Sequence, residues 1–256
     1  MMKLTIVGSG TGIPSATRGS PAILVQNEGA NILMDSGPGS LHRLARLGID
    51  PKDLHFVFYT HFHPDHTLDF MTLCFALRNP EIELPNQPIR VIAPKGFRRL
   101  QERLQSGYGD WIRPSEDVLE IQELKIEAGE MMLNEYMTVR FYPVYHTDQS
   151  LGYRIEDSQG RSIAYSGDTG PCDGLADLGR EADLFVLECS FPEGRGMDNH
   201  LTPSEAGAAA GRANARKLIL THFYPQCEGA DIIGPCASRF HGPIVTAEDF
   251  MTFEIT

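Results

Sequence analysis

The sequence predicts an α/β protein in which strands buried on both faces are layered with helices. Short apolar runs, rich in β-branched and aromatic residues, recur along the chain, and each has the length of a strand. Helix-like stretches lie between several of these runs, and stretches of alternating polarity are typical of antiparallel strands. No linker divides the 256 residues, so we expect residues 1–256 to form a single domain.

The chain opens with an apolar strand and a glycine-rich turn, L-T-I-V-G-S-G-T-G-I-P-S. The glycines have the spacing G-x-G-x-G, whereas a dinucleotide-binding turn has G-x-G-x-x-G, and Pro14 stands where a helix would begin. The turn also lacks the Lys of a P-loop. We therefore expect a tight turn whose backbone approaches the functional site, and no nucleotide cofactor.

Several later apolar runs end in a residue that can bind a metal or carry a proton. The runs are N-I-L-M-D, H-F-V-F-Y-T-H, R-S-I-A-Y-S-G-D, D-L-F-V-L-E and K-L-I-L-T-H, and they end at Asp35, His61, Asp168, Glu188 and His222. Runs of this composition suit strands buried between layers. The strand ends F-Y-T-H-F-H-P and L-I-L-T-H-F-Y-P share T-H-F-x-P, which indicates two similar halves facing one site.

Helix signals occur in residues 38–48, which place leucines on one stripe and stop at Gly48, and in the amphipathic residues 97–106. Residues 203–214 form a third helix, with Pro203 in its first turn and a capping box of Thr202 and Glu205. Residues 126–146 and 151–165 alternate like antiparallel strands. Residues 78–125 read as a variable part with Pro-rich turns around one helix, and residues 67–125 are expected to shape the pocket rim.

Composition excludes some classes of function. The net charge is −12, whereas a protein that holds long nucleic acid needs clustered Lys and Arg. No run approaches the length of a membrane span, and the N-terminus lacks the features of a signal peptide, so we expect a cytoplasmic protein with no membrane partner. The five cysteines contain no C-x-x-C pair and are expected to be free, mostly buried thiols. Cys227 and Cys236 flank a Gly/Pro loop and could pair or touch a metal.

The motif T-H-F-H-P-D-H, residues 60–66, carries the chemistry. His61 and His63 point to the same side of an extended backbone, and Asp65 and His66 follow a turn at Pro64. These side chains cannot all reach one tetrahedral ion without strain, but they can serve two neighbouring ions. Imidazole and carboxylate ligands suit Zn²⁺ first, with Mn²⁺ or iron as alternatives.

Residues elsewhere in the chain can complete two sites. His146 can join His61 and His63, His222 can join Asp65 and His66, and the two oxygens of Asp168 can bridge both ions. The remaining histidines, His42, His55 and His241, are expected to be ordinary residues of a helix, a turn and a loop.

In these motifs the sequence resembles the metallo-β-lactamase superfamily, and most closely the short, armless bacterial members of its ribonuclease Z-like and phosphodiesterase-like branch. The resemblance covers almost the whole chain: the first strand and its loop, D-S-G-P-G, T-H-F-H-P-D-H, His146, Asp168 and His222. It implies a four-layer αβ/βα sandwich with a dinuclear site at one edge and Asp65 on the second metal. It also implies that Asp35 accepts hydrogen bonds from ligands and a nearby loop; a helix cap is the alternative for Asp35.

The carboxylate of Glu188 ends an apolar strand, where it needs a partner. A hydrogen bond to His200, in the loop D-N-H-L-T-P, would fix the tautomer of that histidine and raise its pKa. The resemblance implies this pairing, because the ribonuclease Z-like branch has such a Glu and a His in an H-x-T loop. The alternative is that Glu188 and His200 form a structural ion pair or are surface residues.

Together these residues predict a dinuclear metal-dependent phosphodiesterase. A metal-bridging hydroxide would attack the substrate, with His200 as general acid and Asp65 and Glu188 as its partners in catalysis. The short stretch between His146 and Asp168 leaves room for a hairpin but not for the long basic arm of a tRNA-processing ribonuclease Z. We therefore expect a small phosphodiester: a cyclic nucleotide, a short oligonucleotide or a cyclic sugar phosphate.

Other functions stay open on the sequence. They are ribonuclease Z-type processing of tRNA 3′ ends, hydrolysis of a thioester, lactone or β-lactam, and non-catalytic metal sensing. The resemblance also leads us to expect a homodimer.

Overall fold

Two β-sheets packed face to face, with helices on their outer faces, form the four-layer αβ/βα arrangement that was predicted. The computed structural model describes residues 1–79 and 84–256. In chain order the strands are β1 (Met2–Gly8), β2 (Ala22–Asn27), β3 (Ala30–Met34), β4 (Phe56–Phe58), β5 (Ile89–Pro94), β6 (Leu119–Leu124), β7 (Gly129–Asn134), β8 (Met137–Pro143), β9 (Leu151–Asp157), β10 (Ser162–Tyr165), β11 (Leu184–Glu188), β12 (Leu218–Thr221), β13 (Ile244–Thr246) and β14 (Thr252–Ile255).

The helices are α1 (Ser40–Arg46), α2 (Pro64–Thr67), α3 (Asp69–Ala76), α4 (Phe97–Tyr108), α5 (Gly174–Leu178), α6 (Pro203–Ala213) and α7 (Ile233–Ala237). Short 3₁₀ turns lie at Pro51–Asp53, Gly109–Ile112 and Pro225–Cys227. The three predicted helices are therefore present as α1, α4 and α6. As the capping box required, the Glu205 carboxylate accepts a hydrogen bond of 2.8 Å from the backbone N–H of Thr202.

The two sheets share one pattern of strand pairing. The first has the order β14-β1-β2-β3-β4-β5-β6, antiparallel as far as β3 and parallel from β3 to β6. The second has the order β7-β8-β9-β10-β11-β12-β13, antiparallel as far as β10 and parallel beyond it. The chain thus contains two similar halves, as the repeat indicated.

The repeat itself is out of register with these halves. By position in its sheet β4 corresponds to β11, whereas the two T-H-F-x-P stretches follow β4 and β12. The residues that follow corresponding strands are instead Asp35, after β3, and Asp168, after β10. The inference of two halves is therefore supported by topology, while the five matching residues do not mark equivalent positions.

Burial on both faces explains why the parallel strands are continuously apolar. In β4, Phe56 and Phe58 contribute to the core between the sheets, and Val57 packs with the residues under α1, α3 and α4. On the other outer face, α5 and α6 cover the second sheet with Leu178 and Ala210. Successive side chains of a strand point to opposite layers, so both must be apolar.

Residues 78–125 contain more regular structure than the sequence indicated. Beside the predicted helix they hold β5 and β6, which extend the first sheet in parallel. β6 mixes buried residues with partly or fully exposed ones because it is an edge strand. The prolines at both ends of β5 led to the prediction of a turn at that strand. Residues 80–83 of this segment lie outside the described residues. Its role at the pocket rim stays a prediction.

The cysteines are free, and all except the half-buried Cys172 are buried, as expected. Cys227 and Cys236 do not pair with each other. Burial raises the pKa of each thiol to about 11, so both are protonated at neutral pH, and neither belongs to a cluster of possible metal ligands among the described residues. In the described residues, no helix is long and apolar enough to cross a membrane.

Asp249, in the turn before β14, fastens the glycine-rich turn of the N-terminus. Its carboxylate accepts hydrogen bonds from the backbone N–H of Ser9 at 2.9 Å, the Ser9 hydroxyl at 2.8 Å and the backbone N–H of Gly19 at 2.7 Å. Its side chain is 7% exposed and is also paired with Arg43 of α1. One carboxylate therefore joins both ends of this turn, α1 and the C-terminal strand.

We expect Asp249→Ala to lower the free energy of unfolding by about 3 kcal/mol, because the substitution leaves a partly buried Arg43 and several N–H groups without an acceptor. Urea denaturation measures this change. The neighbouring exposed carboxylate supplies the control, Glu248→Ala, which should differ from wild type by less than about 0.5 kcal/mol. Equal stability of the two variants would contradict the role of Asp249.

Candidate functional site

The predicted site residues meet at one edge of the two sheets. Asp35, His61, Asp168, Glu188 and His222 lie at or just after the ends of β3, β4, β10, β11 and β12. The motif loop adds His63, Asp65 and His66, the loop between β8 and β9 adds His146, and the loop before α6 adds His200. Parallel strands deliver their carboxyl ends to the same edge, and this brings residues distant in sequence together.

A first group consists of His61, His63, His146 and Asp168, each of which offers one ligand atom within 4.8 Å of the others. Nδ1 of His63 lies 3.1 Å from Nε2 of His146. His63 is exposed and His61 is buried, so the group reaches from the protein surface to the bottom of the site. This is the set of side chains predicted for the first metal.

A second group consists of Asp65, His66 and His222, with ligand atoms again within 4.8 Å of one another. His66 and His222 are buried, and Asp65 is half-buried beside them. It matches the residues predicted for the second metal.

Asp168 lies between the two groups and presents one oxygen to each. Its Oδ1 is 3.1 Å from Nε2 of His66 and 3.2 Å from Nε2 of His222. Its Oδ2 is 3.8 Å from Nε2 of His61 and 3.7 Å from Nε2 of His146. Burial alone would raise the pKa of this carboxyl, but the surrounding imidazoles hold it well below its usual range, so Asp168 is ionised.

Unpaired buried atoms show that these residues fit metal ions. Nε2 of His61, His66 and His222 and Oδ1 of Asp168 are buried, and among the described residues none makes a well-aligned hydrogen bond, although Oδ1 lies 3.1 Å from Nε2 of His66 and 3.2 Å from Nε2 of His222. Polar atoms buried without partners are costly, but lone pairs directed at a shared point are what a divalent cation requires. Burial and the neighbouring imidazoles hold the pKa of His61 well below its usual range, which keeps it neutral and able to coordinate.

Asp35 accepts hydrogen bonds from residues of both groups, directly from His66 and through Thr60 from the side of His61. Its carboxylate is fully buried and accepts from Nδ1 of His66 at 2.7 Å, from the Tyr165 hydroxyl at 3.0 Å and from the backbone N–H of Thr60 at 2.8 Å. The Thr60 hydroxyl donates to it at 2.9 Å. The alternative of a helix cap is wrong, because the cap residue of α1 is Gly39. Asp35 instead accepts a hydrogen bond from His66, a candidate ligand, and this is the contact that the resemblance implied.

Glu188 contacts His200 in the same way as Asp35 contacts His66, through a carboxylate oxygen at Nδ1 of the ring. Oε1 of this fully buried carboxylate is 2.7 Å from Nδ1 of His200 and accepts from the backbone N–H of Thr169 at 2.7 Å. Oε2 accepts from the Ser190 hydroxyl at 2.6 Å and from the backbone N–H of Leu201 at 3.1 Å. Burial disfavours a charged His200, but the hydrogen bond and charge of Glu188 outweigh it, so its pKa is raised.

His200 faces the second group. One of its ring nitrogens lies within 4.8 Å of the ligand atoms of Asp168 and His222. Because Nδ1 is held by Glu188, Nε2 is the nitrogen left to act toward the site. The remaining histidines, His42, His55 and His241, are exposed and belong to neither group, as expected.

A family model described as "Beta-lactamase superfamily domain" matches residues 30–223. The chain belongs to the metallo-β-lactamase superfamily. An uncharacterised protein of Mycobacterium tuberculosis is 32% identical over 257 residues, covering 99% of this chain and 92% of that protein. A ribonuclease Z of Mycobacterium bovis is 28% identical over 285 residues, covering 100% of this chain and 99% of that protein.

A solved structure of the superfamily has a similar fold. The crystal structure of the metallo-β-lactamase fold protein YhfI from Bacillus subtilis is similar with a TM-score of 0.84, at 21% identity and with 99% of each chain covered. Within the superfamily, the relatives named ribonuclease Z place this chain in the ribonuclease Z-like branch. The family match and the cluster of His and Asp side chains together support a metal-dependent hydrolase.

Sequence reasoning missed two hydroxyl residues of this site. Thr60 lies between Asp35 and His61, and Ser190 lies between Glu188 and His222. Each stands next to, or two residues after, a predicted site residue, in T-H-F-H and E-C-S. The position of a hydroxyl residue beside a predicted site residue at a strand end is the sequence feature that could have identified both.

Close backbone approaches complete the site. A Cβ at Gly12 would lie 3.2 Å from Cβ of Asp65, so the glycine-rich turn packs against a ligand, as predicted. A Cβ at Gly170 would lie 2.0 Å from the carbonyl oxygen of Asp198, so only glycine lets the Asp168 loop touch the loop of His200. The carbonyl of Asn199 in that second loop accepts a 2.9 Å hydrogen bond from Nδ1 of His146.

The placement of Asp168 makes a prediction about metal binding. We expect Asp168→Ala to weaken binding at both groups, because each loses one carboxylate oxygen, whereas His222→Ala should weaken the second group alone. Isothermal titration with Zn²⁺, checked by elemental analysis of dialysed protein, measures both. Retention of one full-affinity site in Asp168→Ala would show that the carboxylate does not bridge.

Proposed function

We propose that this chain is a two-metal phosphodiesterase that hydrolyses a small phosphodiester, with His200 as proton donor. The hydrogen bond of 2.7 Å between Glu188 and His200 carries the proposal. It supports a protonated imidazole directed at the ligand cluster, and hydrolysis of a phosphodiester needs such a donor because it expels an alkoxide.

The first metal would be held by His61, His63 and His146, and the second by Asp65, His66 and His222, with Asp168 shared. Imidazole and carboxylate donors of this kind favour Zn²⁺, and Mn²⁺ and iron are compatible with the same atoms. Ions bound there supply Lewis acidity, which lowers the pKa of water and neutralises charge on a phosphoryl group.

His200 is the residue that favours this reaction over ester or lactone hydrolysis. Glu188 holds Nδ1 of its ring and raises its pKa, so that Nε2 carries a proton to deliver. Hydrolysis of a strained lactone or a thioester needs less protonation of the leaving group. The Glu188–His200 pair would then have no role in the reaction, although a buried carboxylate that serves no purpose is costly to keep.

The size of the substrate follows from the surroundings of the site. The stretch between His146 and Asp168 is filled by the antiparallel pair β9 and β10, with no projecting arm. The net charge of −12 opposes binding of a long polyanion. A cyclic nucleotide, a short oligonucleotide or a cyclic sugar phosphate meets both constraints.

Processing of tRNA 3′ ends is the second candidate, because the relative from Mycobacterium bovis that spans the whole chain is named ribonuclease Z. This reaction would use the same catalytic residues, so mutants of the site would not separate the two candidates. Cleavage of a precursor tRNA by the metal-loaded protein, compared with cleavage of a cyclic nucleotide, separates them directly.

Substrates with different leaving groups test the proton donor. With Zn²⁺ or Mn²⁺, the wild type should hydrolyse both bis(p-nitrophenyl) phosphate and a cyclic nucleotide. His200→Ala should slow the cyclic nucleotide about 100-fold or more, since its leaving alkoxide needs a proton. The nitrophenolate is a good leaving group, so that substrate should be slowed much less.

The exposed His241 supplies the control variant, His241→Ala, which should match wild type on both substrates. Absence of phosphodiester hydrolysis by metal-loaded wild type would overturn the proposed function. An equal loss of rate on the two substrates in His200→Ala would leave the phosphodiesterase proposal standing but would contradict the role of His200 as the general acid.

The pH profile tests the partnership with Glu188. In Glu188→Gln the side chain keeps its size but loses the charge that raises the pKa of His200. The donor must be protonated, so activity is lost as pH rises through its pKa, and this alkaline limb should move to lower pH in the variant. Rates with the cyclic nucleotide across pH measure the shift; an unmoved limb would contradict the assignment.

A further inference from the structure

The buried carboxylate of Asp35 reaches a metal-ligand histidine through a hydroxyl. The Thr60 hydroxyl lies 2.9 Å from Oδ2 of Asp35 and 3.0 Å from Nδ1 of His61. A carboxylate can only accept, so the single hydroxyl proton of Thr60 is donated to Asp35. The oxygen of Thr60 must then accept from Nδ1–H of His61, which leaves a lone pair on Nε2.

A second set of residues, from the other sheet, has the same arrangement. The Ser190 hydroxyl lies 2.6 Å from Oε2 of Glu188 and 2.9 Å from Nδ1 of His222. The same proton accounting makes Ser190 a donor to Glu188 and an acceptor from Nδ1–H of His222. Nε2 of His222 is the unpaired buried atom that faces Asp168.

The two arrangements match in a further respect. Each carboxylate also holds one imidazole directly, His66 at Asp35 and His200 at Glu188, both at 2.7 Å. The two histidines that contact the hydroxyls belong to different candidate metal groups: His61 lies in the first group and His222 in the second. The Thr60 hydroxyl therefore contacts a candidate ligand of the first group and the Ser190 hydroxyl one of the second, and Ser190 also lies 3.1 Å from Nδ1 of His200.

We infer that Thr60 and Ser190 are positioning residues that fix the tautomers of His61 and His222, each for one metal site. The inference rests on the proposed two-metal function. Partners of this kind set which nitrogen of a ligating imidazole is free and raise its basicity, and their loss costs 10- to 100-fold in metal affinity. The chain thus holds separate means of adjusting its two sites.

The test removes the two hydroxyls, one in each variant. Thr60→Val and Ser190→Ala remove the hydroxyl, and Thr60→Ser and Ser190→Thr retain it as matched controls. Imidazole ¹⁵N signals of the metal-free protein report the tautomer of each histidine. Zn²⁺ titration against a competing chelator gives the affinity of the two sites, and the same ¹⁵N signals identify which histidines each ion reaches.

We expect Thr60→Val to release the tautomer of His61 and weaken the first site about 10- to 100-fold, leaving the second unchanged. Ser190→Ala should do the converse at His222, and both controls should resemble wild type. Wild-type tautomers together with wild-type affinities in both alanine and valine variants would overturn the inference. If Ser190→Ala does not fold, Ser190→Cys, a weaker donor of similar shape, takes its place with the same expected outcome.

Failure of the underlying function is a separate result. Wild type that binds fewer than two Zn²⁺ ions would refute the two-metal proposal, whatever the variants do. Wild type that binds two ions, with both sites weakened alike by either variant, would retain that proposal and refute separate adjustment of the sites.

Discussion

A carboxylate removed from water must be surrounded by hydrogen-bond donors, and this constraint at Asp35 and Glu188 organises the whole edge of the sandwich. Both side chains are fully buried at the ends of strands. The donors they require come from neighbouring strand ends and loops, so satisfying the two carboxylates also aligns the imidazoles around Asp168. Shape, tautomer and charge of the site are thereby determined by the same contacts.

The backbone contributes to this alignment where each sheet meets its loops. Asp35 and His222 have left-handed backbone conformations, with φ of 58° and 60°, which are uncommon for residues other than glycine. Each turn directs a side chain back over the strand ends immediately after an apolar strand. Such conformations persist only where surrounding contacts enforce them, and here the buried hydrogen bonds do so. Among the described residues, two of the six non-glycine residues with positive φ therefore lie at the candidate site: His222 is a candidate ligand, and Asp35 accepts a hydrogen bond from another.

The sequence allowed the layers and the ligand cluster to be predicted because both depend on local signals. Continuous apolar strands require two covering layers, and a dense run such as T-H-F-H-P-D-H has few other uses. Edge strand β6, the contacts of Asp249 and the roles of Thr60 and Ser190 depend on pairing between distant segments. A hydroxyl or a carboxylate does not reveal its partner by its type, so these features became visible only in three dimensions.

The glycine-rich turn that packs against Asp65 is anchored by hydrogen bonds to Asp249. One of them comes from the backbone N–H of Gly19, which precedes Asp249 by 230 positions in the chain. During synthesis, the motif histidines and the glycine-rich turn leave the ribosome long before that carboxylate does. Until then the turn lacks an anchor, and the first sheet, whose strand β4 leads into His61 and His63, lacks β14. The nascent chain would therefore expose its candidate metal ligands before the turn that packs against Asp65 is anchored.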